Sequence, residues 1–265
     1  MAAAADISVE PPRRRRRRTK KILAWCIHAY TALGLVAAAG IAVLIVRGGP
    51  ESFRWAFVLM AVATIIDATD GTLARAIRIK EVLPGFDGRR LDDLIDFLTY
   101  TFLPLFLLWR ADIPEGWTGI LLVPLLASAY GFCQVSSKTD DGYFLGFPSY
   151  WNLVAFYLYV LQPPNALSIG LLITFSLLTF VPTRYLYLSQ RSRLNRITNL
   201  LAVGWTLLVF VILIELPADG SNSRIRTLAI ASLFFPLYYL TASWIVSARL
   251  WCIRKAARRD KMRER

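Results

Sequence analysis

The stretch DATDGTLARAIRIKEVLPGFDGRRLDDLID, residues 67–96, is the most informative part of the sequence. It interrupts an otherwise apolar chain with seven of the 18 acidic residues. Four of these acids follow helical spacing. Asp67 and Asp70 are three residues apart, and Asp92 and Asp96 are four apart, so each pair shares one face of a helix. The polar residues between the two pairs predict a short connection between two antiparallel helices, which would bring all four acids together.

The rest of the chain predicts a membrane protein. Of its 265 residues, 56% are hydrophobic, and a membrane-spanning helix needs about 20 predominantly apolar residues. The candidate segments are 22–46, 53–79, 91–109, 117–136, 149–162, 165–188, 197–215 and 226–248. The predicted fold is therefore all-α, a polytopic bundle of about eight transmembrane helices.

The distribution of Lys and Arg predicts the orientation, because cytoplasmic flanks are enriched in them. With the N-terminus inside, 26 of the 31 basic residues fall on the inner side. Both termini are then cytoplasmic, which requires an even number of spans. Eight spans satisfy this condition, and six would also do so.

The ends of the chain are charged, and the predicted domain organisation follows from them. We expect a disordered basic arm at 1–21, one membrane domain at 22–254 and a charged tail at 255–265. The arm segment PPRRRRRRTKK is interpreted as a topology anchor, with attraction to anionic headgroups as the alternative. The net charge of +13 lies mostly in such flanks and no nucleic-acid-binding motif accompanies it.

Two other classes are disfavoured by simple patterns. The apolar run 22–46 exceeds the roughly 7 to 15 residues of a signal-peptide core, so an uncleaved anchor is expected. The three cysteines lack paired spacing, which disfavours disulfides and zinc sites.

The acidic stretch has the composition of a site for divalent cations. Carboxylates inside a membrane are costly and commonly mark function, and four at close range need cations to neutralise them. Oxygen ligands without His or Cys suit Mg²⁺ or Mn²⁺. Gly71 and Ala74 leave space beside the helix, and Arg75 offers a planar donor fork for phosphate. The alternative is that the charges only neutralise one another and the small residues only pack helices.

The pattern Asp67-x-x-Asp70-Gly71-x-x-Ala74-Arg75, followed by Gly88-x-x-x-Asp92-x-x-x-Asp96, resembles the signature of the CDP-alcohol phosphotransferases. These are integral membrane enzymes that join a CDP-activated group to an alcohol. Twelve residues separate Arg75 from Gly88, more than in the commonest form. This longer spacer is similar to that of a bacterial branch that condenses CDP-diacylglycerol with free choline. The segment GFPSYWN, residues 146–152, is also similar to that branch.

The resemblance implies roles for the signature residues. Two divalent cations, Mn²⁺ or Mg²⁺, would be held by Asp67, Asp70, Asp92 and Asp96. The last of these would also act as the general base on the acceptor hydroxyl. The CDP moiety would be framed by Gly71, Ala74, Arg75 and Gly88, with His28 and Thr31 at the spacing of an Asn-x-x-Thr pattern that many members carry. For His28 an interior structural role is an equal alternative.

The resemblance also implies synthesis of phosphatidylcholine in a bacterial inner membrane by a multi-pass homodimer, with CMP released. We expect direct in-line transfer. A quaternary ammonium group is recognised by aromatic faces, and we predict Tyr150 and Trp151 for choline. Asp87 is predicted to cap the helix that starts at residue 88, and Asp93 to meet Arg89, Arg90 or solvent.

Two other functions stay open at this point. The same scaffold could use serine, inositol or glycerol phosphate as acceptor, although five aromatics and one Lys in residues 138–151 favour choline. An ion transporter is less consistent with the later spans, whose centres carry no charged residue.

Overall fold

The computed structural model describes residues 12–134, 143–186, 193–216 and 223–263 of a helical protein. The α-helices are α1 Pro12–Arg47, α2 Pro50–Ala76, α3 Ile79–Val82, α4 Gly88–Asp96, α5 Leu103–Arg110, α6 Leu122–Cys133, α7 Trp151–Leu161, α8 Asn165–Phe180, α9 Arg193–Glu215, α10 Ser223–Ser232 and α11 Phe234–Arg263. A π-helical segment, Phe97–Phe102, joins α4 to α5, and a 3₁₀ turn, Thr118–Leu121, leads into α6.

The helices confirm a helical membrane protein. Within the described residues, four helical stretches are long and apolar enough to cross a membrane: Arg18–Arg47, Pro50–Ala76, Thr198–Glu215 and Ser223–Cys252. Three shorter apolar helices are Thr118–Cys133, Trp151–Leu161 and Asn165–Phe180. Each of the eight predicted segments overlaps a helix. The number of helices that cross the bilayer, and the side of the membrane on which the termini lie, stay predictions.

Apolar side chains face outward as well as inward, as lipid-facing helices require. Large apolar residues such as Val46, Leu126 and Leu200 are exposed on three different helices. The interior is filled by fully buried side chains such as Ile41 and Leu158. A water-soluble domain rarely exposes so much apolar surface, so lipid is the natural solvent of this exterior.

A tight turn folds α1 back along α2. Gly48 and Gly49 adopt φ values of 70° and 86°, a conformation that favours glycine, and Pro50 then starts α2. Further along the pair, the Tyr30 hydroxyl lies 2.7 Å from the Thr69 hydroxyl. This packing places α1 beside the acidic end of α2.

The helix that begins at Gly88 is fixed by its cap and by a π-helical segment. The Asp87 carboxylate accepts from the backbone N–H groups of Arg89 and Arg90 at 3.2 and 3.3 Å, which confirms the predicted cap. Pro104 lacks the N–H that an α-helix would offer to the Tyr100 carbonyl. The Leu103 N–H instead donates to the Leu98 carbonyl, five residues earlier, as in a π-helix.

A short two-stranded sheet was not predicted. Strands β1 Tyr143–Leu145 and β2 Arg184–Leu186 pair antiparallel. The predicted segment 165–188 was therefore too long, because α8 ends at Phe180 and Pro182 follows close behind it. Pro cannot continue the helix, and the chain becomes extended.

The first and last helices extend into the predicted arm and tail. Helix α1 begins at Pro12, inside the predicted arm, and α11 continues to Arg263, inside the predicted tail. Arg and Lys are good helix formers, so both helices extend beyond their apolar parts. The remainder of the arm, residues 1–11, lies outside the described residues, and the domain boundaries stay a prediction.

Candidate active site

Three of the four predicted carboxylates come together between α2 and α4. One oxygen from each of Asp67, Asp70 and Asp92 lies within 4.8 Å of the others. Asp70 is the most enclosed, with 5% of its surface exposed. Asp96 is not in this group, although it lies one turn beyond Asp92 on the same face of α4.

The donor set of this cluster fits a hard divalent cation. Three carboxylates this close repel one another strongly when one of them is buried, and a bound cation offsets that repulsion. Carboxylate oxygen is the ligand that Mg²⁺ and Mn²⁺ prefer. The cation that the sequence implies is therefore compatible with the residues present.

A tyrosine reaches the cluster from the π-helical segment. The buried Tyr100 donates its hydroxyl proton to Oδ2 of Asp67 at 2.8 Å. Next to it, the Asn152 side chain on α7 donates to the Thr64 hydroxyl on α2 at 3.3 Å. These polar contacts connect three helical elements just behind the carboxylates.

His28 from α1 packs against the start of α4. It is 6% exposed, and its ring centroid lies 4.5 Å from that of Phe86 and 5.9 Å from that of Trp25. A Cβ atom at Gly88 would lie 2.8 Å from Nδ1 of His28 and nearer still to Cε1. A Cβ here would force the His28 ring to shift, so glycine at position 88 permits this close approach.

The other nucleotide-site predictions map to the same region. The buried Nε2 atom of His28 has no hydrogen-bond partner among the described residues. Thr31, one turn later, donates to the Ile27 carbonyl at 3.3 Å, so its hydroxyl is used inside the helix. Their proximity to nucleotide stays a prediction.

Arg75 folds back over Gly71. A Cβ at Gly71 would lie 3.2 Å from Nη1 of Arg75, and Nη2 of Arg75 donates to the Thr72 hydroxyl at 3.1 Å. The glycine therefore leaves room for the guanidinium group beside the helix. Ala74, on the same face, adds little bulk.

The remaining charges of the stretch lie at the surface. Arg89 lies 3.9 Å from Asp93, and Arg90 lies 3.3 Å from Asp87. The predicted contact of Asp93 with an arginine is confirmed. Exposed pairs of this kind stabilise little, so they do not explain the buried acids.

The two residues predicted for choline occupy different environments. Trp151 is 0% exposed, and its indole N–H donates to the Ser128 hydroxyl at 2.6 Å. The Tyr150 ring lies between two other tyrosines, with centroids 6.1 Å from Tyr100 and 6.2 Å from Tyr239. The Tyr150 ring is therefore next to Tyr100, whose hydroxyl donates to Asp67.

Sequence reasoning missed Tyr100 and Tyr239. A signal for Tyr100 was present, since Gly88, Asp92 and Asp96 recur every four residues and Tyr100 is the next member of that series. For Tyr239 no comparable signal exists, because α11 is far from the motif in sequence.

A carboxylate cluster between two helices of a membrane protein marks a candidate functional site. Comparison with known proteins gives the family: the model for CDP-alcohol phosphatidyltransferase matches residues 28–181. The chain belongs to this family, and it is a phosphatidyltransferase. The predicted family is confirmed.

Relatives from several bacteria are similar over most of the chain. A phosphatidylcholine synthase of Pseudomonas aeruginosa is 30% identical over 87% of this chain and 92% of its own length. Phosphatidylcholine synthases of Legionella pneumophila and Borreliella burgdorferi are 39% and 34% identical, over 66% and 67% of this chain and 68% and 75% of theirs.

Proposed function

We propose that this protein synthesises phosphatidylcholine from CDP-diacylglycerol and choline, with release of CMP. The single observation that carries the proposal is the cluster of Asp67, Asp70 and Asp92 in a chain similar to phosphatidylcholine synthases over most of its length. The cluster supports the reaction type, and the relatives support the acceptor.

The carboxylates would hold the cations. Asp67, Asp70 and Asp92 offer oxygens close enough to share an ion, and Asp96, one turn away, would complete a site for two. When bound, Mg²⁺ or Mn²⁺ supplies positive charge beside the pyrophosphate oxygens and stabilises the leaving group.

Asp96 would act as the general base. The choline oxygen forms a bond to the β-phosphorus, which carries diacylglycerol, while the bond from that phosphorus to the CMP oxygen breaks. The hydroxyl proton passes to the Asp96 carboxylate, and CMP leaves with the bonding electron pair. Attack in line with the departing oxygen inverts the phosphorus once.

The start of α4 and the end of α2 would hold the nucleotide. Arg75 above Gly71 offers charged N–H donors to the phosphates. Gly88 exposes backbone next to His28, whose buried Nε2 is without a partner among the described residues. Ala74 and Thr31 would form the walls of the same pocket.

Choline would be recognised by aromatic rings near Tyr150. The contact between the Tyr150 and Tyr100 rings supports a choline site next to the carboxylates. The faces of tyrosine rings attract a quaternary ammonium group. Trp151 is enclosed by protein, so we propose that it positions Tyr150 rather than forming the face that choline meets.

We further propose eight spans with both termini in the cytoplasm, in a bacterial inner membrane, and a homodimer. The overlap of eight apolar segments with helices and the charge bias support the topology. The active site then opens to the side where CDP-lipid headgroups and choline meet. The homodimer rests on the family resemblance, and crosslinking in native membranes tests it.

The deciding experiment follows CMP release by the purified full-length protein with CDP-diacylglycerol and each acceptor in turn. We expect CMP release with choline and Mn²⁺ or Mg²⁺, and its loss with EDTA. Release with serine, inositol or glycerol phosphate but not with choline would correct the acceptor. The absence of CMP with every acceptor would refute the enzyme.

The Asp96→Asn variant tests the base. It should release no CMP above background while it still binds CDP-diacylglycerol with metal. Asp93→Asn, the adjacent surface acid, is the matched control and should keep activity. Normal turnover by Asp96→Asn would exclude it as the base.

A further inference from the structure

The hydroxyl of Tyr100, in the π-helical segment, bonds a carboxylate of the proposed cation site on another helix. It donates to Oδ2 of Asp67 at 2.8 Å. A carboxylate has several lone pairs, so Asp67 can accept this bond and still bind a cation. We infer that Tyr100 is a positioning residue that fixes Asp67 for cation binding, an inference that rests on the proposed function.

The hydrogen bond between Tyr100 and Asp67 joins the two helices that carry the carboxylates. Asp67 belongs to α2, whereas Asp92 and Tyr100 belong to the continuous helix from α4 into the π-helical segment. The Tyr100 hydroxyl therefore connects the two helices whose carboxylates must converge. Losing it frees the Asp67 side chain to rotate and removes one constraint on the distance between the helices.

The tyrosine is itself held firmly. It is buried, so water does not compete for its hydroxyl, and its ring packs near Tyr150. The Thr64 hydroxyl also interacts with it. The π-helical geometry before Pro104 sets the direction of the residue, and π segments in helices are frequent at functional sites.

A partner that orients a metal ligand has a measurable effect on affinity. Removing such a partner typically weakens metal binding by about 10- to 100-fold. A purely structural hydrogen bond elsewhere in the bundle changes thermal stability and leaves metal affinity alone. Metal affinity therefore separates the two roles.

The test titrates full-length protein in detergent with Mn²⁺ alone and measures free Mn²⁺ by electron paramagnetic resonance. Tyr100→Phe keeps the ring and is expected to weaken binding by about 10-fold or more. The matched control is Tyr157→Phe, which loses hydroxyl contacts with Ser232 at 2.8 Å and Trp205 at 3.0 Å. The control is expected to melt earlier and to bind Mn²⁺ like wild type.

A double variant tests whether Tyr100→Phe acts through Asp67. In Asp67→Asn, where the carboxylate is already lost, adding Tyr100→Phe should weaken Mn²⁺ binding no further. An equal loss in both backgrounds, or wild-type affinity in Tyr100→Phe, would overturn the inference. If wild type itself bound no Mn²⁺, the proposed cation site would fail instead, so the two failures are distinguishable.

Discussion

Replacing Gly88 by alanine is expected to destabilise the protein through a single clash. The new Cβ would lie 2.8 Å from Nδ1 of His28 and nearer still to Cε1, whereas real Cβ contacts are longer. His28 cannot move aside easily, because Phe86 and Trp25 flank its ring. Overpacking of this kind costs about 1–3 kcal/mol.

The size of the effect can be checked by thermal unfolding in detergent. For a domain of about 150 to 250 residues, 1 kcal/mol shifts the melting temperature by roughly 2–4 °C, so Gly88→Ala should lower it by several degrees. Gly85→Ala is the matched control, since a Cβ at Gly85 meets nothing within 4 Å. That variant should melt like wild type.

A double-mutant cycle identifies the cause. His28→Ala removes the ring that alanine at position 88 would strike, so Gly88→Ala should cost much less in that background. A coupling of about 0.5–3 kcal/mol is typical for residues in contact. If the two losses simply added, or if Gly88→Ala melted with wild type, contact with His28 would not be the reason for glycine at this position.

Three further variants address the carboxylates and the aromatic rings. Asp70→Asn should lower CMP release by at least about 100-fold, because losing a metal ligand costs more than losing a residue that only orients one. Titration of the same variant with Mn²⁺ should show weaker binding. Unchanged CMP release and unchanged Mn²⁺ affinity would remove Asp70 from the site. Tyr150→Leu should raise the KM for choline by about 5- to 30-fold, because a desolvated cation–π contact contributes roughly 1–2 kcal/mol. The KM for CDP-diacylglycerol should stay constant. A wild-type KM for choline would contradict a role for this ring. Trp151→Phe leaves the buried Ser128 hydroxyl unsatisfied, which costs about 1–3 kcal/mol in thermal stability, and a wild-type melting temperature would show that the bond contributes little.

The sequence predicted three members of the acidic cluster, Asp67, Asp70 and Asp92, because the spacing within each helix is local and a short connection joins the helices. Asp67 and Asp70 must share a face if α2 is a helix, and the cap at Asp87 could be placed because Asp before a helix start has a known preference. The family signature then added the roles. Periodicity and short-range rules suffice for features that lie within a few residues of one another.

Features that depend on tertiary contacts escaped prediction. The sequence around Trp151 is typical of an interfacial aromatic, yet the side chain is buried and Ser128, on another helix, accepts its N–H. The pairing of β1 with β2 joins segments about 40 residues apart, and no local pattern specifies such pairing. The end of α8 at Phe180 was missed because apolar content was read as continuous helix through Pro182.

The π-helical segment after Asp96 has a consequence for how this helix can change. Such a segment amounts to one extra residue in a helical turn, and each residue turns an α-helix by about 100°. In a regular α-helix a one-residue deletion would therefore rotate everything downstream, whereas a deletion between Phe97 and Phe102 would restore an ordinary α-helical turn and leave Pro104 and the residues after it on their present faces. A one-residue deletion would thus remove the local widening that carries Tyr100 while the helix itself continued.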